Sequence, residues 1–303
     1  MPRILAATDS GCRVFAESGE CAPELADRSV TALTRLPGGE CLAVIDASQV
    51  FKRARNGLWI HLANAPIQVQ SLTQANGTVY CGGLDDAVLW RVPEGGKPEP
   101  VPGFDRTPGR ADWFGNGPPL GVRSMVATLD GSAILAAVHV GGIPRSEDGG
   151  ATWTPTLPIL HDVHELAIHP TDPNLVAAAT AVGLCVSRDA GRSWRVITEG
   201  LSLTNSLTLA FLEDEALFGI CDGPFAKQSQ IWRWRIGDDR VSQVRNGLPE
   251  SLTGKVDTAQ LAAAEGRAAF ADGAGNLWLS AESSRGWSIV ASDLVYPAGL
   301  TIV

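Results

Sequence analysis

Apolar residues along the chain fall into short runs, many alternating with polar positions, and turn-forming residues punctuate them at regular intervals. Alternation with a period of two is the signature of half-buried β-strands, and close spacing of the turns argues for many short strands. The clearest stretch reads VHELAIH, PTDPN, LVAAAT, AVG, LCVSRDAGRSW, RVIT (163–198). It predicts an inner strand, a turn, a second strand rich in small residues, a short loop, a third strand and, starting after a tryptophan, a fourth. Comparable inner strands are predicted to begin near Val30, Ile67, Val122, Val163, Ser206 and Thr258. The last residues, GLTIV (299–303), make a further inner strand with nothing after it, while the chain opens on RILAAT and CRVFAE, a second and third strand lacking a first.

These two deficits are complementary. A ring of sheets closes when strands from both ends of the chain complete one blade, which removes the open edges that invite aggregation. The chain is therefore predicted to be all-β, a seven-bladed β-propeller with four-stranded blades, its C-terminal strand completing the N-terminal blade. Six or eight blades also fit the spacing. Residues 94–119, EGGKPEPVPGFDRTPGRADWFGNGPP, are rich in Pro and Gly and are read as a long loop between blades, so that 1–303 is a single domain.

One octet recurs. SEDGGATW (146–153) and SRDAGRSW (187–194) share S-x-D-x-G-x-[ST]-W with their serines 41 residues apart, a period expected of a repeated supersecondary unit. Decayed copies are SAESSRGW, which keeps Ser280 and Trp287 with Glu282 in place of the aspartate, and KRARNGLW, which keeps Trp59. In each good copy the aspartate (Asp148, Asp189) accepts hydrogen bonds from its own turn, with Ser146 and Ser187 beside it. Gly150 and Gly191 allow a positive φ, and Trp153 and Trp194 pack beneath. A calcium site is disfavoured, because each octet offers one aspartate, with Glu147 beside it in the first, and calcium takes six or more oxygens. The octets resemble the Asp-box, or BNR, repeats of the sialidase-like propeller superfamily, and the periodicity extends the resemblance over nearly the whole chain. VHVGG (138–142), HDVHE (161–165), CDGPFA (221–226) and KVDT (255–258) are also similar to stretches in bacterial BNR-repeat proteins labelled glycosyl hydrolase or sialidase by repeat alone.

In a propeller the third-to-fourth-strand turns emerge on one face. First-strand entrances and second-to-third-strand loops emerge on the other, which places the octets opposite the pocket. Candidates on the pocket face are His139, His164, Asp162, Asp222 and Asp257 for catalysis, and Arg123, His161, Trp113, Phe225 and Lys255 for ligand contact. His139 and His164, with an acid, are the candidate ligands of a divalent metal, although no H-E-x-x-H spacing supports one. His169, before Pro170, belongs to the opposite turn.

Sialidase activity is what the resemblance would imply, and its parts are missing. The only tyrosines are Tyr80 and Tyr296, the nearest approach to an R-I-P segment is G-I-P-R (142–145), and Arg28 and Arg123 lack a third arginine. No G-x-S-x-G elbow is present. Two functions from different classes stay open: a module that binds a small polar ligand, a glycan or a protein at its pocket face, and a hydrolase or lyase using the histidines and an acid.

Composition narrows the partners. With 24 Lys and Arg against 33 Asp and Glu the net charge is −9, and no basic groove for nucleic acid is expected. No apolar run is long enough to cross a membrane, and the start, MPRILAATDSG, does not read as a secretory leader, so a cytoplasmic location is expected. The six cysteines lack C-x-x-C spacing and read as mostly buried thiols.

Overall fold

A computed structural model describes residues 2–114, 120–281, 286–294 and 296–303. Its strands form seven antiparallel sheets, each ordered from an inner to an outer strand. The inner strands are Val30–Arg35, Val69–Ala75, Val122–Ala127, Val163–Ile168, Asn205–Phe211, Leu261–Ala264 and Gly299–Ile302. We number the blades from the one holding the N-terminus, so blade 1 runs Gly299–Ile302, Ile4–Thr8, Gly11–Phe15, Cys21–Glu24. The chain is thus a seven-bladed β-propeller, closed by pairing of Leu5 with Thr301 and Ala6 with Leu300.

Two details depart from the expected pattern. Blade 6 carries a short fifth strand, Leu252–Thr253, paired with Gln228 and Ser229 of its third strand. The inner strand of blade 7 starts at Leu261 and not at Thr258, because Ala259 takes a left-handed φ of 61° and Gln260 folds its side chain back onto the Asp257 amide.

Blades converge on the axis, so the gap between neighbouring sheets narrows inward. Small residues fill the narrow part: the second strands read VAAAT in blade 5 and RAAFA in blade 7, buried almost throughout. Large aromatics fill the wide part, where Trp234, Trp278 and Trp287 are buried on third and fourth strands and Trp153 just before a fourth. Such close packing is what ties one blade to the next. The apolar core is accordingly divided among neighbouring pairs of blades. One cluster packs Trp153 of blade 4 with Tyr80 and Leu89 of blade 3, and another packs Ile4 of blade 1 with Leu277 of blade 7. Five of the six cysteines are buried in these layers, and burial pushes the Cys41 and Cys81 thiols up to about 12.

The two good octets form turns with the same set of hydrogen bonds. Ser146 Oγ donates to Asp148 Oδ1 (2.9 Å) and accepts from the Gly150 amide (2.9 Å), while Asp148 accepts from Thr152 N (2.8 Å) and Thr152 Oγ1 (2.6 Å). Ser187, Asp189, Gly191 and Ser193 repeat these bonds at 2.7, 2.8, 2.9 and 2.6 Å. Gly150 is required twice over: its φ is 89°, and a Cβ there would strike the Val101 side chain. Trp153 is buried beneath its turn with Nε1 donating to the Gly150 carbonyl, and half-buried Trp194 reaches across to Thr156 of blade 4. Of the decayed copies, Glu282 lies outside the described residues. Trp59 survives by donating from Nε1 to Glu24 of blade 1 at 2.7 Å.

Candidate functional site

Aligned by strand register, all seven inner strands place Leu or Met at one level: Leu33, Leu72, Met125, Leu166, Leu209, Leu261 and Leu300. Two rings of side chains lie above it toward the pocket face, and they behave differently.

The lower ring, immediately before the leucines, joins blades 3 to 4, 4 to 5, 5 to 6 and 7 to 1, whereas Ala32 and Gly299 occupy it in blades 2 and 1. Ser71 Oγ donates to the Val122 carbonyl (2.6 Å), and Ser124 Oγ accepts from the Leu166 amide (3.1 Å). Gln260 Nε2 donates to the Pro297 carbonyl at 3.0 Å. Glu165 serves three neighbours: its Oε2 accepts from Thr208 Oγ1 (2.6 Å), Leu209 N (3.1 Å) and Ala259 N (3.3 Å), spanning blades 5, 6 and the approach to blade 7. Glu165 also lines a small cavity at this level. Burial pushes its carboxyl up to about 7 despite these donors, and nearby Asp257 adds to the rise.

The upper ring is Thr31, Gln70, Arg123, His164, Leu207, Ala259 and Ala298. In blades 2 to 6 the register slips by one residue at this level, so that Thr31, Gln70, Arg123, His164 and Leu207 are each the extra residue of a β-bulge. A bulge re-aims the side chain of its extra residue, and here it does so at the channel mouth five times over. Gln70 and Arg123 line a cavity of about 70 Å³ together with Glu165, Ala259 and Ala298. The ring is polar on blades 2 to 5 and apolar on blades 6, 7 and 1.

Unlike the lower ring, this one is left largely unpaired. Among the described residues the Gln70 amide and the Arg123 guanidinium make no hydrogen bond, and buried Thr31 Oγ1 and Gln70 Oε1 have no partner. Asp162 Oδ1, His161 Nδ1 and Ser206 Oγ, beside the ring in blades 5 and 6, likewise have no hydrogen-bond partner. Burial pulls the Arg123 guanidinium down from its usual value, against the opposing charges of Asp162 and Asp257. A folded protein pairs almost all its buried polar atoms, and five of the eight buried unpaired side-chain atoms among the described residues gather at this mouth.

Asp162 sits at the edge of that mouth with φ 45°, its Oδ1 3.7 Å from His139 Nε2 and its Oδ2 3.5 Å from His164 Nε2. Both histidines are buried. Burial alone would raise the Asp162 carboxyl, but the hydrogen bond with His164 and the charges of His164, His139 and Arg123 outweigh it and hold the group below the usual carboxylate range. The structure therefore brings His139, Asp162, His164 and Arg123 together.

Other candidates part company with them. Lys255 and Asp257 pair with each other at 2.7 Å beside the mouth. Asp222 is exposed and Phe225 is 93% exposed, both in the second-to-third-strand loop of blade 6. Trp113 corrects the reading of the long loop: it is buried between blades 3 and 4, 5.5 Å from the Phe104 ring and under the Arg110 guanidinium, and packs as core. His169 is the expected turn residue, with Nδ1 accepting from the Asp172 amide (2.9 Å) and Nε2 donating to the Glu213 carbonyl (2.8 Å). His139 and His164 are the candidate ligands of a divalent metal, and among the described residues no group of three or more His, Cys, Asp or Glu is arranged to hold one.

Thr31, Gln70 and Glu165 were absent from the candidates named from sequence. A signal existed: VTAL, VQSL, VRSM and VHEL recur at 30, 69, 122 and 163, each with a polar residue second. The slip that turns that residue into the channel belongs to strand register and leaves no trace in composition.

No protein-family model matches the chain, and no curated protein matches it. Among solved structures it is similar to the GH74 xyloglucanase from Xanthomonas campestris, with a TM-score of 0.62 and 15% identity, over 95% of this chain and 46% of that one. An ancestral GH74 enzyme gives 0.59 and 15%, over 86% and 38%. The RRP9 WD40 repeats give 0.61 and 12%, over 98% and 88%. The chain spans less than half the length of both GH74 chains. At these identities the likeness is one of fold, that of the β-propeller.

Proposed function

We propose that this propeller is a binding module that takes a small polar ligand at the mouth of its central channel, through Thr31, Gln70, Arg123 and His164. The observation that carries the reading is the contrast between the two rings. The lower is hydrogen-bonded across most blade boundaries, and the upper offers the buried Gln70 amide oxygen and Thr31 hydroxyl without hydrogen-bond partners, beside the half-buried Arg123 guanidinium. Unpaired groups cost stability, on the order of 1–3 kcal/mol each when buried, and a ligand that pairs them recovers that cost as affinity. A cavity of about 70 Å³, against roughly 10–15 Å³ of probe space for a single water, has room for a molecule of a few heavy atoms or for the head group of a larger one, a glycan or a protein segment included, whose remainder lies across the rim. The test is a thermal-shift screen of small polar compounds against the wild type and Arg123→Ala. A compound that stabilises the first and not the second supports the reading, and one that stabilises both equally overturns the placement.

A second reading, a hydrolase, draws on Asp162 between two histidines and on the GH74 xyloglucanases among the similar folds. There Asp162 and His164 would exchange a proton with the substrate. Turnover of a glycoside lost in Asp162→Asn with binding retained would favour it; turnover unchanged in that variant would remove it.

A further inference from the structure

Resting on the proposed binding site, we infer that its ligand is a small zwitterionic 2-amino carboxylate with a short apolar side chain. Charge decides against the simpler alternatives. Arg123 is the one cation lining the cavity, a planar fork whose donors match a carboxylate in two parallel hydrogen bonds. A dianion such as phosphate would meet that single positive charge together with Glu165 in the same cavity and Asp162 and Asp257 nearby, the last already paired to Lys255. A monoanion without a second group would leave Gln70 Oε1 unpaired, and a lone ammonium would leave the Arg123 fork unpaired. A molecule carrying both groups on adjacent atoms adds no net charge: its carboxylate takes Arg123, and its ammonium meets the Gln70 amide oxygen and Glu165, which line the same cavity.

The apolar half of the ring settles the remaining substituent. Leu207, Ala259 and Ala298 stand on blades 6, 7 and 1 across from the polar groups, and Ala259 and Ala298 line the same cavity. A methyl or ethyl group fits against them, whereas a long or charged side chain must turn outward to the rim.

Isothermal titration of the purified full chain with alanine and 2-aminobutyrate (both enantiomers), lactate, propionate and isopropylamine tests this. One alanine or 2-aminobutyrate enantiomer is expected to bind saturably. Lactate, propionate and isopropylamine are expected about 10- to 100-fold weaker, the range expected for loss of one charge-assisted contact. Arg123→Lys keeps the charge without the fork and is expected to weaken alanine about tenfold, with Gln70→Ala doing the same by a separate contact. Circular dichroism establishes that each variant is folded. Propionate binding as well as alanine overturns the ammonium half. Isopropylamine binding as well as alanine, unchanged in Arg123→Lys, overturns the carboxylate half. If no amino acid binds while another polar compound does so in an Arg123-dependent way, this inference fails and the binding site stands; if nothing binds, both fail.

Discussion

His164 Nδ1 lies 2.7 Å from the main-chain carbonyl oxygen of Ser206, and since a carbonyl can only accept, that nitrogen carries the proton. The bond ties the mouth of blade 5 to blade 6 and leaves Nε2 as the nitrogen that meets Asp162. Replacing His164 by Ala is therefore expected to act twice. Loss of the Ser206 contact should cost about 1–3 kcal/mol in chemical denaturation. The Asp162 carboxyl, losing its chief hydrogen bond, should rise toward or above the ordinary carboxylate value, because burial is then opposed only by His139 and Arg123. A carboxyl-carbon NMR titration reads the second effect, and an Asp162 value unmoved by the substitution would show that the two side chains are not coupled.

Glu165 gives the molecule an unusual dependence on pH. Its carboxyl sits at about 7 in the fold and near 4.5 when unfolded, so the folded state holds a proton that the unfolded state releases. Stability from this group is full below the unfolded value, declines as pH rises from there through about 7, and does not recover above it. Glu165→Gln keeps an oxygen to accept from Thr208 and the two amides while removing the buried charge. Urea unfolding at pH 5 and pH 8 is expected to show the variant more stable than wild type at pH 8 by on the order of 1–3 kcal/mol, and nearly equal at pH 5. A wild type no less stable relative to the variant at pH 8 than at pH 5 would mean that the carboxylate is compensated in the channel.

The octets brace the fold and leave the mouth alone. Asp189 is held down to about 2: burial opposes this, and the bonds from Ser193, Ser187 and Arg192 prevail. Its contribution is therefore present above the unfolded aspartate value and is lost as pH falls through about 2. Asp148→Ala and Asp189→Ala should each lower stability by about 1–2 kcal/mol at neutral pH, without changing affinity for any ligand at the channel mouth. A combined measurement of denaturation midpoint and ligand affinity checks both halves, and altered affinity in either variant would mean that the two faces communicate.

What was legible in the sequence follows the range of the physics behind it. The blade count came from local facts, such as the alternation in VHELAIH, the octet spacing and the missing partner strands at the two ends. The pocket face followed from the direction of successive antiparallel strands, so His139, Asp162 and His164 were placed together though they come from two blades. Trp113 was misread because a tryptophan in a Pro- and Gly-rich loop is indistinguishable by sequence from one that folds back into core against Phe104. Thr31, Gln70 and Glu165 escaped because their meaning is collective: a lone Gln after Val is unremarkable, and becomes informative only when four neighbouring strands slip by one residue at the same level.

Ring closure makes the last prediction. Ile4 pairs with Ile302 between the reciprocal bonds of Arg3 and Val303, which places the two isoleucines in a non-hydrogen-bonded pair of the ladder, the closer type. Ile4→Cys with Ile302→Cys should oxidise to a disulfide spanning nearly the whole chain and raise stability by about 2–4 kcal/mol relative to its reduced form. Removing residues 299–303 should do the reverse. Strand Ile4–Thr8 then becomes an exposed, apolar edge, Leu300 and Ile302 leave the cluster with Leu277, and the protein should lose its sharp unfolding transition and associate into larger species on size exclusion. A truncated chain that stays monomeric and melts as sharply as the full one would show that the propeller is held shut by its blade-to-blade packing alone.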